Sequence, residues 1–256
     1  SKRRASSQEV DHVVKLYKSS FAGWNVAHFH SKYKAELKGT RSYSWIKTVL
    51  QGAGVIKASK RRGKHRIKRE RMPLAGMMIH QDASTHRWVP QEVWDLVVTM
   101  DDANGEHTSM FFRDQEGTAS SFHGIGQTIA RYGLFASLYS DRGSHYWLTP
   151  EAGGKVDKDN PTQFGRAMKH LGIDMIAAYS PEARGRSERA FGTHQGRLPQ
   201  ELALAGITTM AQANQYFMDT WPDAGKPIFT NIERPSNIWT RAVYYEGLMA
   251  MYSLKP

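Results

Sequence analysis

Three acidic residues stand in motifs that could carry metal-dependent chemistry. They are Asp82 in Met-Ile-His-Gln-Asp-Ala-Ser, Asp141 in Leu-Tyr-Ser-Asp-Arg-Gly-Ser and Glu188 in Ser-Pro-Glu-Ala-Arg-Gly-Arg-Ser-Glu-Arg. Carboxylate oxygens are the ligands that Mg²⁺ prefers, and a pair of such ions can activate an attacking oxygen while stabilising a leaving one. Phosphoryl transfer needs little covalent help from protein. We therefore expect these three acids to be both the catalytic residues and the ligands of two Mg²⁺ or Mn²⁺ ions.

The positive charge of the chain is concentrated in its first part. Residues 1–71 hold 19 Lys+Arg against 4 Asp+Glu, a formal charge of +15, whereas residues 72–256 hold 16 against 20, a charge of −4. An even spread would bear only on solubility. This asymmetry predicts an arm that binds a polyanion, attached to a neutral or mildly acidic globule.

Helical periodicity predicts three short helices within residues 1–56. The third follows the N-cap-like stretch Ser42-Tyr43-Ser44 and stops at Gly52 and Gly54. Three short helices with a basic surface are typical of a helix-turn-helix DNA-binding module, although a small helical bundle without a DNA role has the same pattern. Arg41 and Lys47 flank the third helix and are candidate DNA contacts.

A basic tract separates this module from the rest of the chain. Nine of the fifteen residues 57–71 are Lys or Arg. Such a block repels itself, so it fits a linker that follows a DNA backbone, or otherwise a solvated hinge. The candidate DNA contacts in it are Lys60, Arg61, Arg62, Lys64, Arg66, Lys68 and Arg69.

The acids must be positioned by alternating strands and helices that begin near residue 77. Strands are predicted at 77–82, 94–100, 108–113, 134–140 and 174–178, and helices at about 120–132, 162–171 and 185–202. Asp82 and Asp141 would each close a strand, and Glu188 would lie in the first turn of the last helix. The order βββαβαβα is that of the ribonuclease-H-like fold, an α/β fold with a mixed five-stranded sheet and flanking helices.

At these residues the chain resembles the catalytic core of retroviral integrases and bacterial insertion-sequence transposases, the DDE superfamily. The matching motifs are Gln81-Asp82-Ala-Ser, Ser140-Asp141-Arg-Gly-Ser144 and Ser180-Pro181-x-x-x-Gly185-Arg-x-Glu188-Arg189. The resemblance implies a DNA transposase that cleaves and transfers strands of a mobile element, acting as a homo-oligomer on element ends and target DNA. Cations beside the third acid, namely Arg184, Arg186 and Arg189, would bind DNA phosphates.

Two features depart from the superfamily pattern. The interval from Asp141 to Glu188 is 47 residues, longer than the retroviral type, with residues 151–160 a plausible insertion. Gln81 directly precedes the first acid, whereas members of the superfamily commonly have aromatic residues near this position. A polar residue there could weaken packing under the metal site. Other acids have simpler roles: Asp101 and Asp102 fit a tight turn, and Glu182 fits a solvent-facing position.

His80 shares the strand face of Asp82 and is the histidine that we would test as a group supporting the metal ligands.

No phosphate-loop Gly-Lys-Ser/Thr occurs, and Gly124-Ile-Gly126 lacks the third glycine of a dinucleotide fingerprint, so no nucleotide cofactor is expected. No apolar run approaches the roughly 20 residues that cross a bilayer. Without cysteines or an apolar signal core, an intracellular protein is the default expectation. The resemblance to insertion-sequence transposases implies the bacterial cytoplasm, at the nucleoid.

The predicted organisation has four parts. Residues 1–56 form the helix-turn-helix module, 57–73 the basic linker, 74–214 the ribonuclease-H-like core, and 215–256 an atypical tail. This tail is unlike the carboxy-terminal domain of the superfamily, so a truncated and inactive transposase stays among the interpretations. Two alternatives to a transposase therefore stay open. The first is a catalytically decayed transposase that only binds DNA, and the second is a ribonuclease-H-like nuclease or resolvase without strand transfer.

Overall fold

The computed structural model of the protein describes residues 5–58, 70–151, 154–179 and 185–220. Contacts divide the chain into two compact units, one within residues 1–67 together with 196–201, and the other comprising the rest. The elements of the described residues are α1 (Ser7–Ser20), α2 (Val26–Ala35), α3 (Tyr43–Gly52), β1 (Met78–Val89), β2 (Glu92–Asp101), β3 (His107–Arg113), α4 (Thr118–Tyr132), β4 (Ser137–Ser140), α5 (Gln163–Leu171), β5 (Asp174–Ala177), α6 (Gly185–Gln195), α7 (Leu198–Leu204) and α8 (Met210–Thr220).

The first unit contains the three predicted helices around a small aromatic core. Side-chain caps begin each of them, and the predicted cap Ser42 accepts a hydrogen bond from Trp45 N at 3.3 Å. Capping satisfies a backbone N–H that the first turn leaves without an intrahelical partner. Helices α1, α2 and α3 each contribute two apolar side chains to the buried cluster, which consists of Val13, Tyr17, Phe29, Tyr33, Ile46 and Leu50.

A five-stranded mixed sheet organises the second unit. Its strand order is β3-β2-β1-β4-β5, with antiparallel pairs among the first three strands and parallel pairs from β1 to β4 and from β4 to β5. The predicted ribonuclease-H-like fold, preceded by helices, is thereby confirmed. Parallel strands need helical crossovers, and α4 and α5 supply them while burying one face of the sheet. The core beneath them includes Ile79, Phe122, Ile125, Leu138 and Phe164.

The first strand is longer than predicted. We expected it to close at Asp82, but β1 continues to Val89 because residues 83–86 keep pairing with β2, ending in a hairpin to Glu92. Apolar and polar residues alternate only weakly beyond Asp82, so the sequence does not predict a strand there. Pairing with the long strand β2 extends β1. Asp82 therefore lies inside β1. It still lies beyond the part of β1 that pairs with β4, which ends at His80.

The predicted helix 185–202 is two helices. Helix α6 ends at Gln195 and α7 begins at Leu198. Pro199 has no backbone N–H, and its ring would clash with the carbonyl of the residue four positions earlier, Gln195, so one continuous helix is excluded. Proline is tolerated in the first turn of a new helix, which is where α7 places it.

Helix α8 extends the second unit beyond the predicted core. It runs through residue 214, where the predicted core ended, and Ala213 and Phe217 are buried. Asn214 attaches the helix to the edge strand β3: its amide accepts from Phe112 N at 2.7 Å and donates to Phe112 O at 3.1 Å. The side chain therefore supplies the two hydrogen bonds that a neighbouring strand would supply. Residues 221–256, most of the predicted tail, lie outside the described residues.

Candidate active site

Asp82 and Asp141 occupy matching positions just beyond the end of the parallel β1–β4 pairing. His80 of β1 is the register partner of Tyr139 of β4, and each acid follows two residues later, Asp82 within β1 and Asp141 directly after the end of β4. Side chains two residues apart in a strand point to the same face. Asp82 is mostly buried and Asp141 is half-buried. The fold thus places two carboxylates, far apart in sequence, at one edge of the β1–β4 pair.

The loop after β4 shapes the position of Asp141. Gly143 N donates to Asp141 Oδ1 at 2.8 Å, which turns the carboxylate back over its own loop. A Cβ at Gly143 would lie 3.0 Å from Asp141 Oδ1 and 2.9 Å from His145 Cε1, so this residue must be small. Trp147 Nε1 donates to Ser140 Oγ at 2.9 Å and closes the loop on the strand end.

A buried polar network lies beneath the two acids. The Tyr146 hydroxyl donates to Gln81 Oε1 at 2.8 Å, and Gln81 Nε2 donates to Thr99 Oγ1 at 3.0 Å and to Ser121 O at 3.2 Å. Burial raises the pKa of Tyr146 well above its ordinary value, and the negative charge of a neighbouring glutamate, Glu116, raises it further. Tyr146 therefore remains a neutral phenol, which keeps its proton and donates a hydrogen bond to Gln81.

Glu116 is an acid near the site that the sequence analysis missed. It lies between β3 and α4, and its Oε1 is 3.5 Å from His145 Nε2. Asp82 and Asp141 also raise the pKa of Tyr146, after burial and Glu116. Glu116, Asp82 and Asp141 therefore all lie close enough to Tyr146 for their negative charges to raise its pKa. No local motif marks Glu116, because it reaches the site only through the antiparallel return of β3.

Glu188 lies in the first turn of α6, as predicted, and its side chain is exposed. Its helix packs on the face of β1 that carries Asp82: Gln195 Nε2 donates to Ser84 Oγ at 2.9 Å. Gln195 is two helical turns after Glu188, so the two residues share a helix face. Within the described part of the chain, no three His, Asp or Glu side chains are close enough together to hold one metal ion. Glu188 thus lies on the same face of α6 as Gln195, which contacts β1, but it does not form a cluster with Asp82 and Asp141.

The chemistry of the Asp82–Asp141 pair fits a magnesium site. Mg²⁺ in phosphoryl-transfer sites is held by one or two carboxylates and keeps several waters, with substrate phosphate supplying further oxygens. Asp82 and Asp141 are the carboxylates that could supply the protein's share of such a coordination shell. Asp82 already accepts a hydrogen bond from Ala83 N at 3.1 Å, which orients its carboxylate.

The other acids and His80 have structural partners. His80 Nε2 lies 2.7 Å from Asp102 Oδ1, deep in the interior, and the ring packs on Tyr139 at 5.0 Å between centroids. Asp101 accepts from Ala103 N at 2.8 Å, the turn role that was predicted for it. Asp102 contributes to more than the turn, because its Oδ2 also accepts from Met72 N at 2.7 Å. Glu182 lies outside the described residues.

The candidate DNA contacts divide into three groups. Arg41 donates to both oxygens of Glu9 and lies 5.0 Å above the Trp45 ring, so most of its donors serve the helical module. Lys47 is half-buried on α3, and Arg189 is exposed on α6. The others fall outside the described residues, or, for Arg186, have a side chain that does: Lys60, Arg61, Arg62, Lys64, Arg66, Lys68, Arg69, Arg184 and Arg186.

A search of the described helices for a long apolar one found none able to cross a membrane.

Sequence comparison finds two curated transposases that resemble this chain. The chain is 34% identical over 150 residues to "Transposase for insertion sequence IS1202" of Streptococcus pneumoniae, covering 59% of this chain and 32% of that protein. It is 32% identical over 187 residues to "Putative transposase y4bF" of Sinorhizobium fredii, covering 71% of this chain and 40% of that protein. The chain thus spans between a third and two fifths of the length of these relatives. No protein-family model matches it.

Solved structures with a similar chain trace come from retroviral integrases. A simian T-cell lymphotropic virus intasome in complex with PP2A regulatory subunit B56 gamma has a TM-score of 0.49 at 17% identity, covering 88% of this chain and 78% of that one. The HTLV-2 integrase catalytic core domain in complex with magnesium has a TM-score of 0.44 at 15% identity, covering 66% and 97%. The sequence matches confirm the predicted resemblance: this chain is similar in sequence to an insertion-sequence transposase and to a second, putative transposase.

Proposed function

We propose that the protein is a metal-dependent DNA transposase that cleaves the ends of a mobile element and transfers them to target DNA. The observation that carries the proposal is the placement of Asp82 and Asp141 at matching positions just beyond the β1–β4 pairing, in a chain similar in sequence to transposases. Transposition is phosphoryl transfer, and its main demand on a protein is positioning with electrostatic stabilisation. Paired carboxylates that gather divalent cations meet that demand.

Asp82 and Asp141 would hold Mg²⁺ or Mn²⁺, and Glu188 would join them from α6. Bound divalent ions activate the attacking oxygen and stabilise the leaving oxygen. The chain's own part is to hold Asp82 in a long strand, to turn Asp141 through its contact with Gly143 N, and to present Glu188 on a helix docked against β1. Because Glu188 is exposed, we propose that it reaches the other two acids when metal and DNA bind.

DNA would bind through both units. Lys47 of α3, with Arg41 to a smaller extent, would contact element ends, and the basic tract would neutralise backbone phosphates. Arg184, Arg186 and Arg189 would hold the phosphate next to the acids, as a cation beside an attacked phosphate does. The HTLV-2 core was solved in dimeric and trimeric forms, and the simian viral protein in an intasome. By analogy, we propose a homo-oligomer on paired ends, which in a bacterium would be found with the nucleoid.

The test is nicking and strand transfer on supercoiled plasmid carrying the element ends, with Mg²⁺ or Mn²⁺. Asp82→Asn, Asp141→Asn and Glu188→Gln should each abolish product, while Asp159→Asn, an exposed acid on the loop before α5, should leave it unchanged. Products that persist in the three variants would reject the proposal. Wild-type protein that binds the ends without forming any product would favour a decayed transposase, and cleavage without joining would favour a nuclease.

A further inference from the structure

One buried hydrogen bond connects the residue beside the first acid to the loop that follows the second. Gln81 directly precedes Asp82, and Tyr146 comes five residues after Asp141. The Tyr146 hydroxyl donates to Gln81 Oε1 at 2.8 Å, and the two residues are 1% and 2% exposed. Adjacent residues of a strand point to opposite faces. Gln81 therefore lies under the sheet while Asp82 projects above it.

The amide of Gln81 is held in one orientation. Its Nε2 donates to Thr99 Oγ1 and Ser121 O, which leaves Oε1 directed at the phenol. Helix α4 makes room for this with Gly124, where an added Cβ would lie 2.5 Å from Gln81 Nε2. A buried polar group that bonds at both its donor and its acceptor is rigid, because turning it would leave those groups unsatisfied.

Tyr146 is also fixed at its own end of the hydrogen bond. Its carbonyl accepts from Thr162 Oγ1 at 3.0 Å, and its ring meets Phe164 edge-on at 5.2 Å between centroids. Its backbone N–H donates to Gly143 O at 3.0 Å. Gly143 N in turn donates to Asp141 Oδ1, so two hydrogen bonds join the tyrosine to the carboxylate through a single residue.

The position of this hydrogen bond matters because the parallel ladder ends before the acids. His80 and Tyr139 are the last register partners of β1 and β4 in the described residues, and Asp82 and Asp141 follow after that pair. Metal ligands must be held within about 0.5 Å of their productive positions. A connection past the end of the ladder is therefore required, and the pair Gln81–Tyr146 supplies one.

We infer that the Tyr146–Gln81 hydrogen bond is a positioning strut that sets the separation of the Asp82 and Asp141 carboxylates. This inference rests on the proposed metal-binding function of the two acids. Neither strut residue would touch metal or DNA. Their effect passes through the backbone of β1 on one side and through Gly143 on the other. The strut also assigns a role to Gln81, the position at which the chain departs from the pattern of its superfamily.

The test compares Tyr146→Phe with Ser137→Ala in the full chain. Ser137 Oγ donates to Met77 O at 2.7 Å, a partly buried link between β4 and the residue before β1, at the opposite end of this strand pair from the acids. Both variants lose one hydroxyl and keep the shape of the side chain. Mn²⁺ affinity is measured by water-proton relaxation, and hydrogen exchange of residues 141–147 is measured without metal.

Tyr146→Phe should raise the Kd for Mn²⁺ roughly tenfold or more, as loss of a group that orients metal ligands does. It should also speed exchange in residues 141–147. Ser137→Ala should change neither, whatever its effect on the thermal midpoint. Equal effects of the two variants on both readouts would overturn the strut.

Asp141→Asn separates this inference from the proposed function. Mn²⁺ binding to the wild type that is absent, or that persists in Asp141→Asn, would reject the metal site. The exchange data would then judge the strut by themselves: faster exchange in Tyr146→Phe alone would support it as a holder of the loop, and unchanged exchange would overturn it.

Discussion

Asp82 and Asp141 each lie two residues beyond a pair of register partners, His80 and Tyr139, on neighbouring parallel strands. The acids are 59 positions apart in the sequence, and the parallel pairing of β1 with β4 makes them neighbours. Parallel pairing brings the same ends of two strands to the same edge of a sheet. Any variant that shifts β1 or the residues after β4 should therefore change the distance between the two carboxylates.

Gly143→Ala should impair the site more than the fold. The new Cβ would lie 3.0 Å from Asp141 Oδ1, so the carboxylate must move by some tenths of an ångström. We expect metal-dependent nicking to fall at least about tenfold, because small displacements of metal ligands are costly. The matched control is Gly192→Ala on α6, where nothing lies within 4 Å of the added Cβ. Equal nicking by the two variants would contradict the prediction.

Arg41→Ala and Lys47→Ala should have different effects. Arg41 holds Glu9, and its guanidinium hydrogen bond lowers the pKa of that carboxyl, so its loss should lower the denaturation midpoint of the helical module. Lys47→Ala should leave that midpoint unchanged, weaken DNA binding and reduce the salt dependence of the binding constant by about one unit of slope. Fluorescence anisotropy over a salt series measures the slope. A larger slope change for Arg41→Ala than for Lys47→Ala would reverse the assignment.

Asn214→Ala should weaken the attachment of α8 to the edge strand β3. The variant removes two hydrogen bonds to the backbone of Phe112, so we expect a loss of about 1–3 kcal/mol in unfolding free energy. Hydrogen exchange of the Phe112 amide should quicken. Gln215→Ala, at the next and exposed position of α8, is the control and should change stability by less than about 0.5 kcal/mol. Unchanged exchange at Phe112 in Asn214→Ala would show that α8 does not protect this edge.

His194 should make the docking of α6 sensitive to acid. It lies 2.9 Å from His107 Nε2, and burial, followed by the charge of His107, lowers its pKa to about 4. A lowered folded-state pKa means that the unfolded chain takes up the proton first. Stability is therefore intact above the ordinary pKa of about 6.5 and falls as the pH drops from there towards 4.

Urea midpoints between pH 7.5 and 4.5 measure this effect. His194→Asn should show a shallower loss of stability than the wild type over that range. A matched control is His170→Asn, on the last turn of α5, which should keep the wild-type slope. If His194→Asn and the wild type lose stability in parallel, other histidines account for the acid sensitivity.

Local patterns were sufficient for most elements of the sheet. The hairpin at 102–105 follows from Asp-Ala-Asn-Gly, and Gly105 adopts a φ of +79°, a conformation that favours glycine. The strands predicted at 94–100 and 108–113 match β2 and β3 to within two residues at each end. The end of β1 could not be predicted from its own residues, because its continuation depends on a partner strand. The break before α7 follows from Pro199, an effect that helical periodicity alone does not register.

The sequence by itself determined which residues are candidates for the proposed chemistry: the carboxylates that could bind metal, the location of the basic charge, and the order of strands and helices. Those features depend on residue type and on spacing along the chain. Only the tertiary structure decided the neighbours. It buried Gln81 against Tyr146, brought Glu116 close to the site, paired His80 with Asp102, and left Glu188 exposed. Such contacts join residues that are distant in sequence, so they follow from strand register and packing, which no local pattern encodes.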